Sequence, residues 1–285
     1  MRITITTLAF AVIILSSCQK ERDFANQSAA GNTTSDAGGL LVKMVQRTGT
    51  DSLVTTYGYD GSRRLITLTR LGVDDQGDPV NAQFHFHRNA SGIITDYSST
   101  GPALVAVGID SIKTIVHYAS SRYTSYVLNI NTPGFVLLDS SVFVYDGAGR
   151  IIGENFYESP AGTGNDYYLA AKFDYSYDAS SNFASLIFHQ LDQSGAEVFT
   201  ASTSNIKYDS EVNPIHTNNE AFVMGHPEWT SFNNIISEQG SDSNGPVDDQ
   251  KITMSYTYNS AHKPATNVTR IVPDNTTTNT SYYYQ

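Results

Sequence analysis

The pattern that most limits the fold of this 285-residue chain is an alternation of two sets of side chains with a period of two residues. Segments 53–59 and 65–71 both show it, and the turn-forming pair Asp60-Gly61 lies between them. A period of two places one set of side chains on each face of a β-strand, whereas a helix needs a period near 3.6. The sequence therefore predicts β-hairpins. The low charged fraction of 16% also disfavours long helices and coiled coils.

The connection between these two segments recurs along the chain. In the fuller copies an aromatic-x-aromatic pair precedes Asp or Asn, and Arg, Asn or Lys follows four positions later. The turn residues of the clearest copies are Asp60, Asp146, Asp178, Asp209 and Asn259. With weaker copies near Arg88 and Ala119, the steps up to Asp209 are 28, 31, 27, 32 and 31 residues, which indicates an internal repeat. The last step is 50 residues and predicts an irregular unit around 229–234.

Turn chemistry gives a physical reason for the repeat. An Asp or Asn side chain can bond the backbone amides that follow it and so cap a tight turn. Gly61, Gly147 and Gly149 are expected to supply positive φ angles there. The aromatic pair places two rings on one face of a strand end, where they add apolar area. Each unit then holds two strands of about ten residues and two connections.

These units predict an all-β fold. We expect one large meandering antiparallel sheet of roughly fourteen strands over residues 40–285, forming a single domain that is curled or barrel-like. A barrel embedded in lipid would need an apolar outer face in every strand. Segment 183–191 carries apolar residues on both faces, and Ser185 and His189 interrupt one of them. This favours a sheet that curls around its own core.

The first 39 residues have a different character. Met1-Arg2 and the apolar run 3–15 form a signal peptide that is too short to span a bilayer as a helix. It ends in Leu15-Ser16-Ser17-Cys18, which resembles the lipobox of bacterial lipoproteins. The resemblance implies that residues 1–17 are removed and that Cys18, the single cysteine, is acylated. Residues 18–39 are then the acylated cysteine and a flexible tether, because 24–39 lack a periodic apolar face.

Further resemblances suggest a family. Segment 19–23 is similar to the charged export signal of Bacteroidota surface lipoproteins, with an ordinary solvated tether as the alternative. The turns, above all 146–151, resemble the tyrosine–aspartate repeats of large bacterial shell proteins, although this chain has too few copies to enclose a toxin. Together with the Tyr-rich segment 282–284, they are similar to a family of Bacteroidota outer-membrane lipoproteins with a porin-like antiparallel sheet. The resemblance implies a lipid-anchored, surface-exposed protein, and the family offers no established activity from which functional residues could be transferred.

Residues with catalytic or ligand-binding chemistry are sparse. His85 and His87 would point to the same side of a strand, which is a spacing that suits a metal, but two solvent-facing histidines on a sheet are the simpler interpretation. The sequence contains no nucleophile elbow, phosphate loop, dinucleotide fingerprint or zinc-protease motif. We therefore predict no cofactor and no catalytic residue, and Cys18 as the lipidation site.

Three functions remain open on these grounds. The first is a non-catalytic cell-surface lipoprotein that is structural or binds a ligand, and this is the prediction we favour. The second is a glycan-binding module that stacks sugars on exposed rings of its 18 tyrosines and one tryptophan. The third is a secreted hydrolase with two carboxylates or a Ser/His pair in a pocket. A net charge of -11 disfavours nucleic acid and an anionic membrane surface as partners, whereas a glycan or a surface protein fits.

Overall fold

The barrel is closed. The computed structural model describes residues 39–73, 78–106, 109, 111–132, 135–159, 167–243 and 250–285. Within these ranges sixteen antiparallel strands form one continuous ring in which every strand pairs with its neighbours in sequence. The predicted all-β meander is confirmed, and the barrel-like alternative is the one that the chain adopts.

The strands are short and regular. They are β1 Leu41–Thr48, β2 Asp51–Tyr59, β3 Leu65–Val73, β4 Pro79–Arg88, β5 Ile94–Thr100, β6 Ile112–Ala119, β7 Arg122–Thr132, β8 Phe135–Tyr145, β9 Ile151–Glu158, β10 Tyr168–Tyr177, β11 Phe183–Leu191, β12 Glu197–Val212, β13 Asn233–Asp242, β14 Gln250–Tyr258, β15 Pro264–Val272 and β16 Thr276–Tyr284. Two short helices, α1 Pro102–Ala106 and α2 Glu220–Val223, and a 3₁₀ helix at Pro227–Thr230 lie in the connections. In the described part of the chain, no helix has the length and apolarity needed to cross a membrane.

The first and last strands close the ring. β1 pairs with β16 from Leu41↔Tyr284 to Thr48↔Thr278. Beyond the strand ends, the Leu40 amide donates to the Gln285 carbonyl at 2.8 Å, and the Gln285 amide donates back at 3.0 Å. This pairing of the two ends of the domain leaves no free sheet edge, which removes a common route to aggregation.

Strand pairing fixes which side chains face the interior, because residues paired across antiparallel strands share a face. β4 shows this most clearly: Phe84 and Phe86 pack in the core, whereas Gln83, His85 and His87 are exposed between and beside them. The neighbouring strands follow the same register, since Phe86 pairs with Tyr97 and His87 with Asp96. The wall of the barrel therefore has an apolar inner face and a polar outer face at this point.

The same separation holds around the ring. Inward aromatic residues that form or line the core are Tyr57, Phe84, Phe86, Tyr97, Tyr126, Phe143, Phe156, Phe173, Tyr175, Phe183, Phe188, Tyr282 and Tyr284. Outward positions include Lys43, Arg47, Thr69, Gln83, His85, Ser98, Lys113, His117, Lys172, Asp174, His189, Ser202, Gln239, Lys251 and Asn279, with apolar residues scattered among them at Leu71, Ile115, Val142 and Val144. The expectation of a sheet that curls around its own core agrees with this distribution.

The two ends of the barrel differ. One end carries the predicted repeat turns and the long connection 213–232, and both Gly39 and Gln285 lie there. We call it the plug end, because segment 213–232 is folded against the core. The other end, the far end, carries the remaining eight connections, from 49–50 to 273–275. The irregular unit predicted around 229–234 thus corresponds to a larger segment that covers one end of the barrel.

Candidate functional site

The repeat turns have one common geometry at the plug end. In the first, Oδ1 of Asp60 accepts hydrogen bonds from the Ser62 and Arg64 amides, both at 2.9 Å, and Oδ2 accepts one from Nε of Arg64 at 2.8 Å. Asp146 makes the corresponding bonds to Ala148 and Arg150. The backbone bonds from Arg64 and Arg150 lower the pKa of these two carboxyls. The Asp and the Arg of the motif therefore act together as a turn lock.

Asp178 and Asn259 begin turns of the same kind, whereas Asp209 does not. Asp178 bonds the amides of Ser180 and Asn182, and the Asn259 side chain bonds those of Ala261 and Lys263. Asp209 lies inside β12, which continues to Val212, and its carboxylate bonds Asn234 and the hydroxyl of Tyr258. Its Oδ1 also accepts the Glu211 amide, as in the other turns, but β12 continues past it, so Asp209 links β12, β13 and β14 instead of opening a turn.

Two details of the turns differ from expectation. The turn near Arg88 begins one residue later, at Asn89, whose Oδ1 accepts the amides of Ser91 and Ile93. The positive φ falls on the fourth residue of the turn, as at Gly149 (82°) and Arg63 (64°), and not at Gly61 or Gly147. The left-handed residue is thus set by the turn geometry, and glycine occupies it in only some copies.

Tyr258, which precedes Asn259, donates to Asp209, but the tyrosine near the plug end of five other strands shows why the repeat uses this residue. Its hydroxyl donates to the first carbonyl of the strand that precedes its own: Tyr59 to Leu41 at 2.8 Å and Tyr177 to Ile151 at 2.7 Å. The same bond joins Tyr208 to Phe183 and Tyr284 to Pro264, and Tyr145 makes it to Tyr123, the second residue of β7. Each of these hydrogen bonds, which we call tyrosine clamps, ties together the ends of two strands whose connecting turn lies at the far end.

Removal of one clamp should therefore cost about 1 kcal/mol of unfolding free energy, the usual net value of one hydrogen bond. We expect this loss for Tyr177→Phe in urea unfolding of the mature chain. Tyr59 on β2 and Tyr177 on β10 lie on opposite sides of the ring, so a double Phe variant at these two positions should lose about 2 kcal/mol. Tyr283→Phe, on the outer face, is the matched control and should change little. Equal losses at Tyr177 and Tyr283 would contradict the clamp.

The plug segment is held to the barrel by an ion pair whose cation is buried and whose carboxylate is 26% exposed. The guanidinium of Arg88, at the end of β4, donates to both carboxylate oxygens of Glu220 at 2.7 and 2.9 Å, and its side chain is only 5% exposed. Arg88 also donates to the Leu65 carbonyl, the bond that a tyrosine makes in other copies of the repeat. The hydroxyl of Tyr123 donates to Glu220 at 3.1 Å. One carboxylate in the plug is therefore anchored to the ends of two separate strands.

Apolar side chains of the plug segment also pack against the core of the barrel. Ala221, Phe222 and Val223 of α2 are buried in the core cluster together with Trp229. The ring of Phe222 packs 4.8 Å from that of Tyr175, and the ring of Trp229 lies 6.5 Å from that of Tyr57. These contacts reach strands on well-separated parts of the ring, so the segment closes the plug end as a packed layer.

Two acidic side chains, Glu154 and Asp139, are buried inside the barrel. Glu154 accepts hydrogen bonds from the hydroxyls of Tyr126 at 2.8 Å and Tyr175 at 2.9 Å, and burial raises its pKa. Nearer the far end, Asp139 on β8 is 4% exposed, and one of its side-chain oxygens lacks a hydrogen-bond partner among the described residues. Burial, together with the negative charge of Glu158, raises the pKa of Asp139 to about 7. No sequence pattern predicted that Glu154 or Asp139 would be buried.

Asp139 should make stability depend on pH. Its raised pKa means that the folded state holds the proton more tightly than the unfolded state, so stability falls as pH rises from about 4 to about 7. We expect Asp139→Asn to be more stable than the wild type by roughly 2 kcal/mol at pH 8 and nearly equal to it at pH 4. Urea unfolding at both pH values measures this difference. Asp174→Asn, on the outer face, is the control, and its unfolding free energy should depend on pH as that of the wild type does. If Asp139→Asn also kept the wild-type pH dependence, Asp139 would not be the group responsible for it.

The two histidines considered as metal ligands lie on the outer face. His85 and His87 border an open depression of about 360 Å³ whose wall also includes Arg64. Nδ1 of His87 is 2.7 Å from Oδ1 of Asp96 on β5. Among the described residues no group of three or more His, Cys, Asp or Glu side chains could hold a metal ion. The structure therefore brings the pair together without a third ligand of these types.

Glycan binding would need a row of exposed aromatic rings, and hydrolysis would need a Ser/His pair or two carboxylates in a pocket. Most described tyrosine rings face the core. In the described part of the chain the exposed aromatic side chains lie on separate elements and are Tyr118, Tyr167, Phe232 and Tyr283. A Ser/His pair exists at His117 and Ser125, 3.0 Å apart, but it is a cross-strand contact on the exposed outer face. Cys18 and the tether up to residue 38 lie outside the described residues, so the lipidation site remains a prediction.

Comparisons with known proteins agree on the fold. No family model and no curated protein sequence matches this chain. A porin-like protein from Bacteroides vulgatus is similar in structure, with a TM-score of 0.53 and 11% identity over 87% of this chain and 99% of the other. A porin-like protein from Bacteroides uniformis gives 0.50 and 12% over 86% and 96%. At these identities the likeness concerns architecture, and the chain therefore has the porin-like β-barrel fold that the sequence resemblance implied.

Proposed function

We propose that this protein is a non-catalytic lipoprotein of the outer membrane, anchored through acylated Cys18, whose barrel stands in water beside the bilayer and serves as a surface-displayed structural or ligand-binding module. The observation that carries the proposal is the distribution of side chains across the barrel wall. Aromatic residues fill the interior, and charged or hydroxyl side chains dominate the outward positions.

The outer face differs from what a lipid-embedded barrel needs. Such a barrel carries a continuous apolar band bounded by aromatic girdles, and a charged residue at mid-membrane costs about 2–4 kcal/mol. Here Lys113 on β6 and both Lys172 and Asp174 on β10 lie on the outer face, together with His117 on β6 and His189 on β11. The outer face of the barrel wall is thus suited to contact with water. Attachment to a membrane then has to come from the lipid, which agrees with the lipobox that ends at Cys18.

The experiment compares three versions of the full precursor in the native host, labelled with a radioactive fatty acid. Wild type and Ser17→Ala, which keeps the thiol, should incorporate label and sediment with outer membranes. Cys18→Ser should incorporate none. A fourth version, in which residues 1–18 are replaced by a leader that is cleaved without acylation, should be released as a folded, detergent-free protein.

Two results would contradict the proposal. Fatty-acid label in Cys18→Ser would place the anchor elsewhere. A non-acylated chain that still resists extraction from washed membranes, and that needs detergent to stay folded, would mean that the barrel itself is embedded. External protease added to intact cells separates surface display from a periplasmic location, because only a displayed barrel is cleaved.

A further inference from the structure

The tether meets the barrel at the plug end. The chain enters β1 at Leu41, next to the C-terminal residue Gln285, and Nζ of Lys263 in a plug-end turn donates to the Gly39 carbonyl at 2.5 Å. About twenty residues separate Gly39 from Cys18, a length that spans roughly 25 Å on average if it is flexible. A lipid on Cys18 would therefore hold the plug end closer to the bilayer than the far end.

The two ends of the barrel also differ in charge. In the described parts of the far-end connections, the charged side chains are Asp78, Asp192 and Asp274, and there is neither Lys nor Arg. Those of the plug end carry Arg63, Arg64, Arg150 and Lys263 against five carboxylates, two of which are bonded to Arg64 and Arg150. The described far-end connections thus carry only negative charge, whereas the charges of the plug-end connections nearly balance. An anionic bilayer would repel the far end and tolerate the plug end.

The plug end also exposes an apolar pair. Phe232 and Val212 flank the entrance to the plug segment, are 55% and 54% exposed, and are joined through the backbone bond from the Asn213 amide to the Phe232 carbonyl. Arg63 and Arg122 are exposed on the same end. An aromatic ring accompanied by cationic side chains is the combination that favours the headgroup region of a bilayer.

We propose that the plug end rests on the anionic phospholipid surface to which the protein is tethered, with Phe232 and Val212 in the interfacial layer and Arg63 and Arg122 near lipid phosphates. The inference rests on the proposed lipid anchor. Such a contact would be weak alone, but the tether confines the barrel near the membrane, so a modest attraction suffices to orient it. The acidic far end then points away from the membrane.

A pair of single-cysteine variants tests the orientation. Phe232→Cys and Val198→Cys place a polarity-sensitive fluorophore on equally exposed sites, one at the plug end and one where β12 begins at the far end. The acylated full-length mature protein is bound to vesicles of phosphatidylcholine with about one third phosphatidylglycerol. Lipids with brominated chains should quench the probe at 232 at least twofold more than the probe at 198. Vesicles of phosphatidylcholine alone, or Arg63→Gln with Arg122→Gln, should reduce that difference.

The outcomes separate the two proposals. Protein that fails to bind vesicles would overturn the lipid anchor and the orientation together. Protein that binds and shows equal quenching at 232 and 198 would overturn the orientation alone. A preference for site 232 that is the same on neutral and anionic vesicles would overturn the role of the arginines and the phosphates.

Discussion

Replacing Glu220 with alanine should lower the unfolding free energy by about 3–5 kcal/mol, because it leaves the guanidinium of Arg88 buried with its charge uncompensated. Arg88 would keep its bonds to the carbonyls of Leu65 and Gly92, but carbonyls do not neutralise a cation. Urea unfolding of the mature chain, followed by circular dichroism, measures this loss. It is one of the two largest effects we expect in this protein, because this ion pair joins the plug to the wall.

A double-mutant cycle separates the ion pair from general disruption. Arg88→Met and Glu220→Leu should each be strongly destabilising, whereas the double variant should be much less so, since no isolated charge remains. Lys113→Ala is the control, because its amine lies 3.5 Å from Asp96 in an exposed pair worth under about 1 kcal/mol. Additive losses in the double variant would show that the two side chains act independently.

The second large effect is expected at Phe222. This ring is 3% exposed and packs against Phe143 and Tyr175, so Phe222→Ala removes a large apolar group and leaves a cavity between the plug and the wall. The expected cost is about 3–5 kcal/mol in urea unfolding. Limited proteolysis of the variant should also cut first within 213–232, because this segment loses its main apolar contact.

Phe232 provides the matched control in the same segment. Phe232→Ala removes the same ring from an exposed position, where it stacks on His216 at 4.1 Å, and should cost about 1 kcal/mol or less in solution. Similar losses for Phe222→Ala and Phe232→Ala would mean that α2 is not packed into the barrel as described, and that the plug end is open.

The sequence predicted local features well because their causes are local. Asp60 and Arg64 interact within five residues, so the turn lock leaves a repeated motif, and the period of two follows from the two faces of each strand. The sixteen strands are close to the expected fourteen, and the first and last of them pair with each other to close the ring. Asp209 was assigned wrongly because a Tyr-Asp pair in a strand looks the same as one at a turn.

The plug and the buried carboxylates could not be predicted in this way. The partners of Glu220 are Arg88 and Tyr123, which are 132 and 97 residues away, and no spacing rule connects them. The 50-residue step between copies was the one signal that a segment such as 213–232 existed. The burial of Asp139 and Glu154 could not be predicted either. An acidic residue in a strand is expected to face outward, and only the strand pairing shows that these two face the interior.

In the proposed arrangement, water surrounds the outer face of the barrel while a lipid on Cys18 holds it to the membrane. The most direct measurement is the accessibility of single cysteines at Ser98, Ser125 and Ser255, which face outward on β5, β7 and β14. In the acylated protein on vesicles, all three should react with a membrane-impermeant maleimide as fast as in the non-acylated chain in solution. Protection of these sites from the aqueous reagent, with labelling by a lipid-soluble one, would instead place the barrel within the bilayer.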